Sequence, residues 1–168
     1  MAIKPIVKYG DPVLREVSKP VETLTSTVKD LVADMKATLK KAKGLGLSAV
    51  QVGVPLRVFI VDISAIDITA ETKVYISPEI IETSGSCEFE EGCLSFPGIY
   101  QTLTRPERVK IKALDENGKE FVQEADGIIA RAVLHEYDHL DGVLFIDHFS
   151  PLTRTLVDRK LKRLAKSV

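Results

Sequence analysis

The residues with the clearest chemical capability lie together in His135-Glu136-Tyr137-Asp138-His139. Two histidines four apart sit one turn apart on one face of an α-helix, so both imidazoles can reach a single metal ion. Glu136, beside the first of them, can reach a water on that ion and take its proton. The chain has only 3 histidines, and this stretch uses two of them. The flanks fit a helix. Ile128, Ala132, His135 and His139 follow one stripe, Asp126 is placed to cap the start, and Gly142 falls at the position just past the end. The same pattern also describes an amphipathic core helix whose histidines are satisfied by neighbours. Metallopeptidases with this spacing take a third ligand downstream, whereas here only His148 and a few acids follow, at no recognised spacing. The third ligand is therefore expected upstream.

Glu90-Glu-Gly-Cys-Leu-Ser-Phe-Pro-Gly98 supplies one. Cys93 lies between a glycine and a Pro-Gly turn, so its backbone can bend around an ion. A thiolate with two imidazoles leaves a tetrahedral ion one open position, as catalytic sites require. Cys87, six residues earlier, forms with Cys93 neither a CxxC redox pair nor a multi-bridge framework, so both are expected as reduced thiols. A further stretch, Gly44-Leu-Gly-Leu-Ser-Ala-Val-Gln-Val-Gly53, has two glycines that let backbone approach another group closely. It is not a phosphate loop: it follows a helix instead of opening one, and it lacks the lysine–hydroxyl pair.

Other segments must hold these three stretches in place. Asp11-Pro12 opens a short helix that stops near Pro20. Residues 25–43 carry an apolar stripe (Val28, Leu31, Val32, Met35, Leu39, Ala42) and read as a helix ended by Gly44. Leu56–Asp62 is a β-branched buried strand. Residues 73–83 are extended and interrupted at Pro78. Val109–Leu114 and Lys119–Gln123 form a hairpin across an Asn-Gly turn. Val143–Asp147 reads as a short strand, and Ser150-Pro151 opens a C-terminal helix. Strands and helices do not alternate regularly, which favours an α+β fold with antiparallel sheets around a central helix that carries the histidines. At 168 residues the chain is expected to be a single catalytic domain spanning 1–168.

Composition excludes several classes of function. A hydrophobic share of 45% and a charged share of 28% are those of an ordinary globular protein. The net charge of −1 gives no general reason to expect nucleic acid, and no specific DNA binding is expected. The N-terminal stretch lacks an apolar signal region and nothing approaches a membrane span, so a cytoplasmic location and no membrane partner are expected.

GLGLSAVQ, EGCLS and HEYDHLDG, in that order, closely resemble the three signature motifs of the peptide deformylases, and the likeness extends over the whole chain. The lack of a long central insertion, with a C-terminal helix, is most similar to the bacterial type. The resemblance implies metal-dependent hydrolysis of the N-formyl group from the formyl-methionine that begins new polypeptides, with release of formate. It implies Cys93, His135 and His139 as metal ligands and Glu136 as general acid and base. Gln51 and the Leu94 N–H would hold the formyl oxygen. Family members use Fe2+ physiologically and accept Ni2+, Co2+ or Zn2+; one Cys and two His suit several of these ions. Leu45, Phe89, Ile128, Ala132 and the ring of His135 match the lining of a methionine pocket, Leu45 and Gly46 would offer backbone groups to the peptide, and Arg105 matches a position read as pairing with Glu91 to fix the cysteine loop. Cys87, Asp138 and His148 read as structural. In the bacterial enzymes the basic C-terminal helix docks on the ribosome; here it carries Arg154, Arg159, Lys160, Lys162, Arg163 and Lys166 against Asp158, a composition that equally describes a solvated face.

Three positions depart from the family pattern. Ser48 stands where Ala is usual, which implies a small repacking or an extra hydrogen bond. Val50 replaces a common Pro, and Leu134 a common Gln, on a helix face different from that of His135. Outside the resemblance, two other classes fit parts of the pattern. One is a metallopeptidase-like hydrolase, which needs only HExxH; the other is a non-catalytic, ribosome-associated metal-binding module.

Overall fold

The computed structural model covers residues 1–168. Helix α1 (Ser26–Ala42) precedes seven strands: β1 (Gly46–Ser48), β2 (Val58–Val61), β3 (Lys73–Ser84), β4 (Cys87–Gly92), β5 (Tyr100–Arg105), β6 (Arg108–Leu114) and β7 (Glu120–Asp126). Helices α2 (Gly127–Leu140) and α3 (Pro151–Lys166) complete the chain. Five strands form one sheet in the order β1-β2-β3-β6-β7, while β4 and β5 pair separately. Every strand pairing is antiparallel. This is the expected α+β class, with α2 packed on β1, β2, β6 and β7. No helix is long and apolar enough to cross a membrane.

Each helix buries the stripe its sequence offers. Thr25 caps α1 by accepting from the Val28 N–H, and Val28, Val32, Met35 and Leu39 pack with Leu47, Val58 and Ile60. Helix α2 sets Ala130, Ala132, Val133 and Leu140 against Phe59, Tyr75 and Ile111. Phe59 and Tyr75 are register partners across β2 and β3, and their rings stack at 4.5 Å. Ser150 caps α3, Pro151 takes its first position, and Val157 and Leu161 join Leu14, Phe96 and Phe145 in a third cluster. The three clusters meet around the motifs. Ala49, near Gln51, belongs to the first, Val133, near His135, to the second, and Cys93 packs on the third.

Several local expectations are corrected. Val143–Asp147 is not a strand: Phe145–His148 form a 3-10 turn with Phe145 and Ile146 buried. A short apolar run cannot by itself tell a strand from a buried turn. Asp147 stabilises the turn by accepting from the Leu144 N–H at 3.0 Å and from Arg15 at 2.6 Å. Pro78 does not interrupt β3. Ser77, at φ 45°, starts a register shift between Ile76 and Glu79, and a bulge tolerates the N–H that proline lacks. Helix α1 ends on Lys43 in the left-handed conformation, not on Gly44. Gly44 serves close approach instead, since a Cβ there would lie 2.7 Å from Leu94 Cδ1. The β6–β7 hairpin forms as expected: the Asp115 carboxylate accepts from the N–H groups of Asn117 and Lys119, and Gly118 takes φ 81°.

Candidate active site

Helix α2 carries both histidines inward; His135 is 7% and His139 1% exposed. Gly142 lies just past its C-cap at φ 72°, where L side chains are strained. Asp126 occupies the N-cap position, but its exposed side chain makes no capping bond. Cys93 follows β4 in a tight turn closed by the Phe96 N–H donating to the Cys93 carbonyl. Its Sγ lies 3.5 Å from His139 Nε2. Ligand atoms of Cys93, His135 and His139 all fall within 4.8 Å of one another. The donor set fits a divalent ion such as iron or zinc, with three protein ligands leaving one position open.

A second layer of charge fixes His135. Its Nδ1 pairs with Glu91 Oε1 at 2.8 Å, which leaves Nε2 for the cluster. Glu91 also receives Arg105 Nε at 2.5 Å and Nη2 at 3.0 Å, as the sequence reading pairs them. Arg131 adds a third partner, donating to Glu91 Oε2 at 2.6 Å and to the Cys87 carbonyl at 2.7 Å. Burial alone would raise the Glu91 carboxyl; His135 and Arg105 outweigh it and hold it at about 2. Burial would lower His135, but the Cys93 sulfur and Glu91 raise it well above the ordinary imidazole value. His139 goes the other way, pushed well down by burial and by the charge of His135. Its Nδ1 is buried without a hydrogen-bond partner.

The remaining polar groups lie beside the cluster. Gln51 is buried, and its Oε1 accepts from the Ser48 N–H at 2.9 Å. That bond turns its amide nitrogen toward Ser95 Oγ at 3.1 Å and Cys93 Sγ at 3.6 Å. The Leu94 N–H makes no backbone hydrogen bond. Glu136 is 5% exposed, and burial raises its carboxyl despite the opposing effects of His135 and Ser48. Gly46 lets β1 pass close by: a Cβ there would stand 2.7 Å from Glu136 Oε2.

A cavity of about 470 Å³ opens over this arrangement. Leu45, Gly46, Phe89, Ile128 and Ala132 all line it, together with Gln51, Cys93, Leu94, His135 and Glu136. Phe89 is 54% and Ile128 39% exposed, so these two form its rim and are not core. Arg105 lies behind the wall, bonded to Asp138 as well as Glu91, and Asp138 in turn pairs with the half-exposed His148.

Sequence reasoning missed Arg131, Ser95 and the reach of Asp138. A lone charge four residues before His135 in an otherwise apolar run was the available signal for Arg131. The Ser48 hydroxyl forms an extra hydrogen bond, to Glu136 Oε1 at 2.9 Å.

The molecule is thus an α+β protein with a cleft beside a Cys–His–His cluster able to hold a metal ion. The polypeptide deformylase family model matches residues 3–155. A peptide deformylase of Mesorhizobium japonicum is 47% identical over 167 residues, covering 99% of this chain and 95% of that protein. One from Neisseria meningitidis is 45% identical over 166 residues, covering 99% and 98%. The crystal structure of a Legionella pneumophila peptide deformylase superposes with a TM-score of 0.91 at 44% identity, over 98% of this chain and 96% of that one. The chain belongs to the polypeptide deformylase family, whose members are metal-dependent hydrolases.

Proposed function

We propose that residues 1–168 act as one catalytic domain that removes the N-formyl group from the formyl-methionine of newly made polypeptides and releases formate. One observation carries the reading: the ligand atoms of Cys93, His135 and His139 lie within 4.8 Å of one another, and Cys93 and His135 line a cavity together with Glu136, Gln51 and Leu94. Cys93, His135 and His139 would hold the ion, Fe2+ physiologically, with Ni2+, Co2+ or Zn2+ as substitutes. When bound, the ion supplies Lewis-acid chemistry that polarises a carbonyl and makes water a nucleophile near neutral pH. Glu136 takes the proton from the attacking water. Its buried carboxyl, held above the ordinary glutamate value, suits both accepting that proton and passing it to the leaving amine. The Gln51 amide and the free Leu94 N–H receive the oxyanion that develops on the formyl oxygen; one such donor is worth about 2.7–4 kcal/mol. Glu91, Arg105 and Arg131 keep His135 in one tautomer and orientation. Phe89, Ile128, Ala132, Leu45 and the His135 ring offer an apolar slot for the methionine side chain, with Gly46 backbone beside it.

The cytoplasm, where nascent chains emerge, is the proposed location. The ribosome is the proposed partner of α3, whose Arg159, Lys160, Lys162, Arg163 and Lys166 are exposed while Val157 and Leu161 face the core. A structural metal normally takes four protein ligands, and this cluster has three with Glu136 alongside. The test is formate release from a formyl-Met dipeptide by metal-loaded protein, run beside cleavage of an unformylated peptide. Formate without peptide cleavage is expected. Cleavage without formate would mean a metallopeptidase, and neither product a binding module.

A further inference from the structure

Glu136 makes one side-chain hydrogen bond in the whole chain, and its partner is Ser48. The Ser48 Oγ lies 2.9 Å from Glu136 Oε1 and 3.0 Å from the Glu136 backbone carbonyl. Ser48 is fully buried in β1, and a buried hydroxyl needs partners of this kind. The two carboxylate oxygens are thereby made unequal. Oε1 is turned toward Ser48, which does not line the cavity, while Oε2 lies on the side of Gly46, which does. The same residue orients the second polar group of the site, because the Ser48 N–H holds Gln51 Oε1. Any residue except proline would supply that N–H, whereas the bond to Glu136 uses the Ser48 hydroxyl.

We infer that Ser48 is a positioning residue for the hydrolytic step: its hydroxyl pins Glu136 Oε1 so that Oε2 is the oxygen presented to substrate and attacking water. The inference rests on the proposed role of Glu136 as proton acceptor. Without the hydroxyl the carboxylate can rotate about its last torsion, which is broad for glutamate, and the productive orientation is populated for less of the time. Binding of the substrate through the apolar slot and through Gln51 is untouched.

The experiment is a double-mutant cycle on metal-loaded protein with a formyl-Met dipeptide. Ser48→Ala removes one oxygen and adds no atom, and metal content and melting temperature are recorded for each variant. Ser48→Ala is expected to lower kcat by about 3- to 10-fold with KM and metal content unchanged. In a Glu136→Gln background the same substitution is expected to change kcat by less than about twofold, since the oriented base is already gone. An unchanged kcat, a rise in KM alone, an equal loss in both backgrounds, or a fall in melting temperature without a fall in kcat would each overturn the inference. Those results leave the deformylase reading standing so long as Glu136→Gln is slow by itself. A Glu136→Gln protein as fast as the wild type would remove Glu136 from the reaction, and the role of Ser48 with it.

Discussion

Replacing Glu91 by Gln probes the group on which the electrostatics of the site converge. One buried carboxylate faces two buried guanidiniums and a histidine: Arg105 at 2.5 Å, Arg131 at 2.6 Å and His135 at 2.8 Å. The amide keeps the shape but leaves Arg105 and Arg131 with only Asp138, bonded to Arg105, to offset them. The Glu91 carboxyl sits at about 2 instead of 4.5. At about 1.4 kcal/mol per pH unit, that difference corresponds to roughly 3 kcal/mol of stability. Removing one partner of a buried ion pair costs about 3–5 kcal/mol, so the two routes agree. Urea unfolding of the metal-free protein at pH 7 should therefore show Glu91→Gln less stable by about 3 kcal/mol or more. Because the folded value is depressed, this contribution is complete above pH 4.5 and fades as pH falls toward 2, where wild type and variant should converge. His135 also exchanges a charged acceptor at its Nδ1–H for a neutral amide, and metal affinity should drop by about 10–100-fold. A loss below about 1 kcal/mol, or an unchanged metal affinity, would refute the reasoning.

Three more outcomes are expected. Metal uptake should release protons and tighten with rising pH, because the Cys93 sulfur and Glu91 raise the His135 imidazole in the metal-free site and a ligand must be neutral; calorimetry in buffers of different ionisation enthalpy reads the proton count. Gly46→Ala would put a Cβ 2.7 Å from Glu136 Oε2 and 2.8 Å from its Cγ, so the carboxylate must shift. A displacement of that order should lower kcat by about 10²-fold while the metal stays bound, as turnover and metal analysis together would reveal. Reversing Lys160, Lys162 and Arg163 to Glu should weaken salt-sensitive binding to ribosomes and leave dipeptide turnover intact; deleting α3 is the poorer test, because Val157 and Leu161 are part of the core.

Much of the site was legible because its groups sit in short motifs. HEYDH puts two imidazoles on one helical face by periodicity alone and EGCLS offers Cys93 in a turn, whereas Gln51 and Leu94 were reached only through the family resemblance of their motifs. The helices were legible for a similar reason, since α1 shows an apolar stripe and α3 opens on a Ser cap followed by Pro. What escaped depends on contacts between distant segments. Ser48 and Glu136 are 88 residues apart, and Arg131 reaches Glu91 across 40. No local pattern records such a meeting. Residues 143–147 failed for another reason: an apolar run that short is compatible with a strand or a buried turn, and the core around Phe145 decides. Lys43 takes the left-handed position at the end of α1, while Gly44 lies where Leu94 approaches.

Glu136→Gln, measured for both metal content and formate release, bears most directly on the proposed hydrolysis. The amide preserves volume and removes the proton acceptor, while Cys93, His135 and His139 remain to hold the ion. Full metal content with formate release from a formyl-Met dipeptide slowed by about 10²–10⁴-fold is the expected result. Full metal content with near wild-type turnover would contradict it.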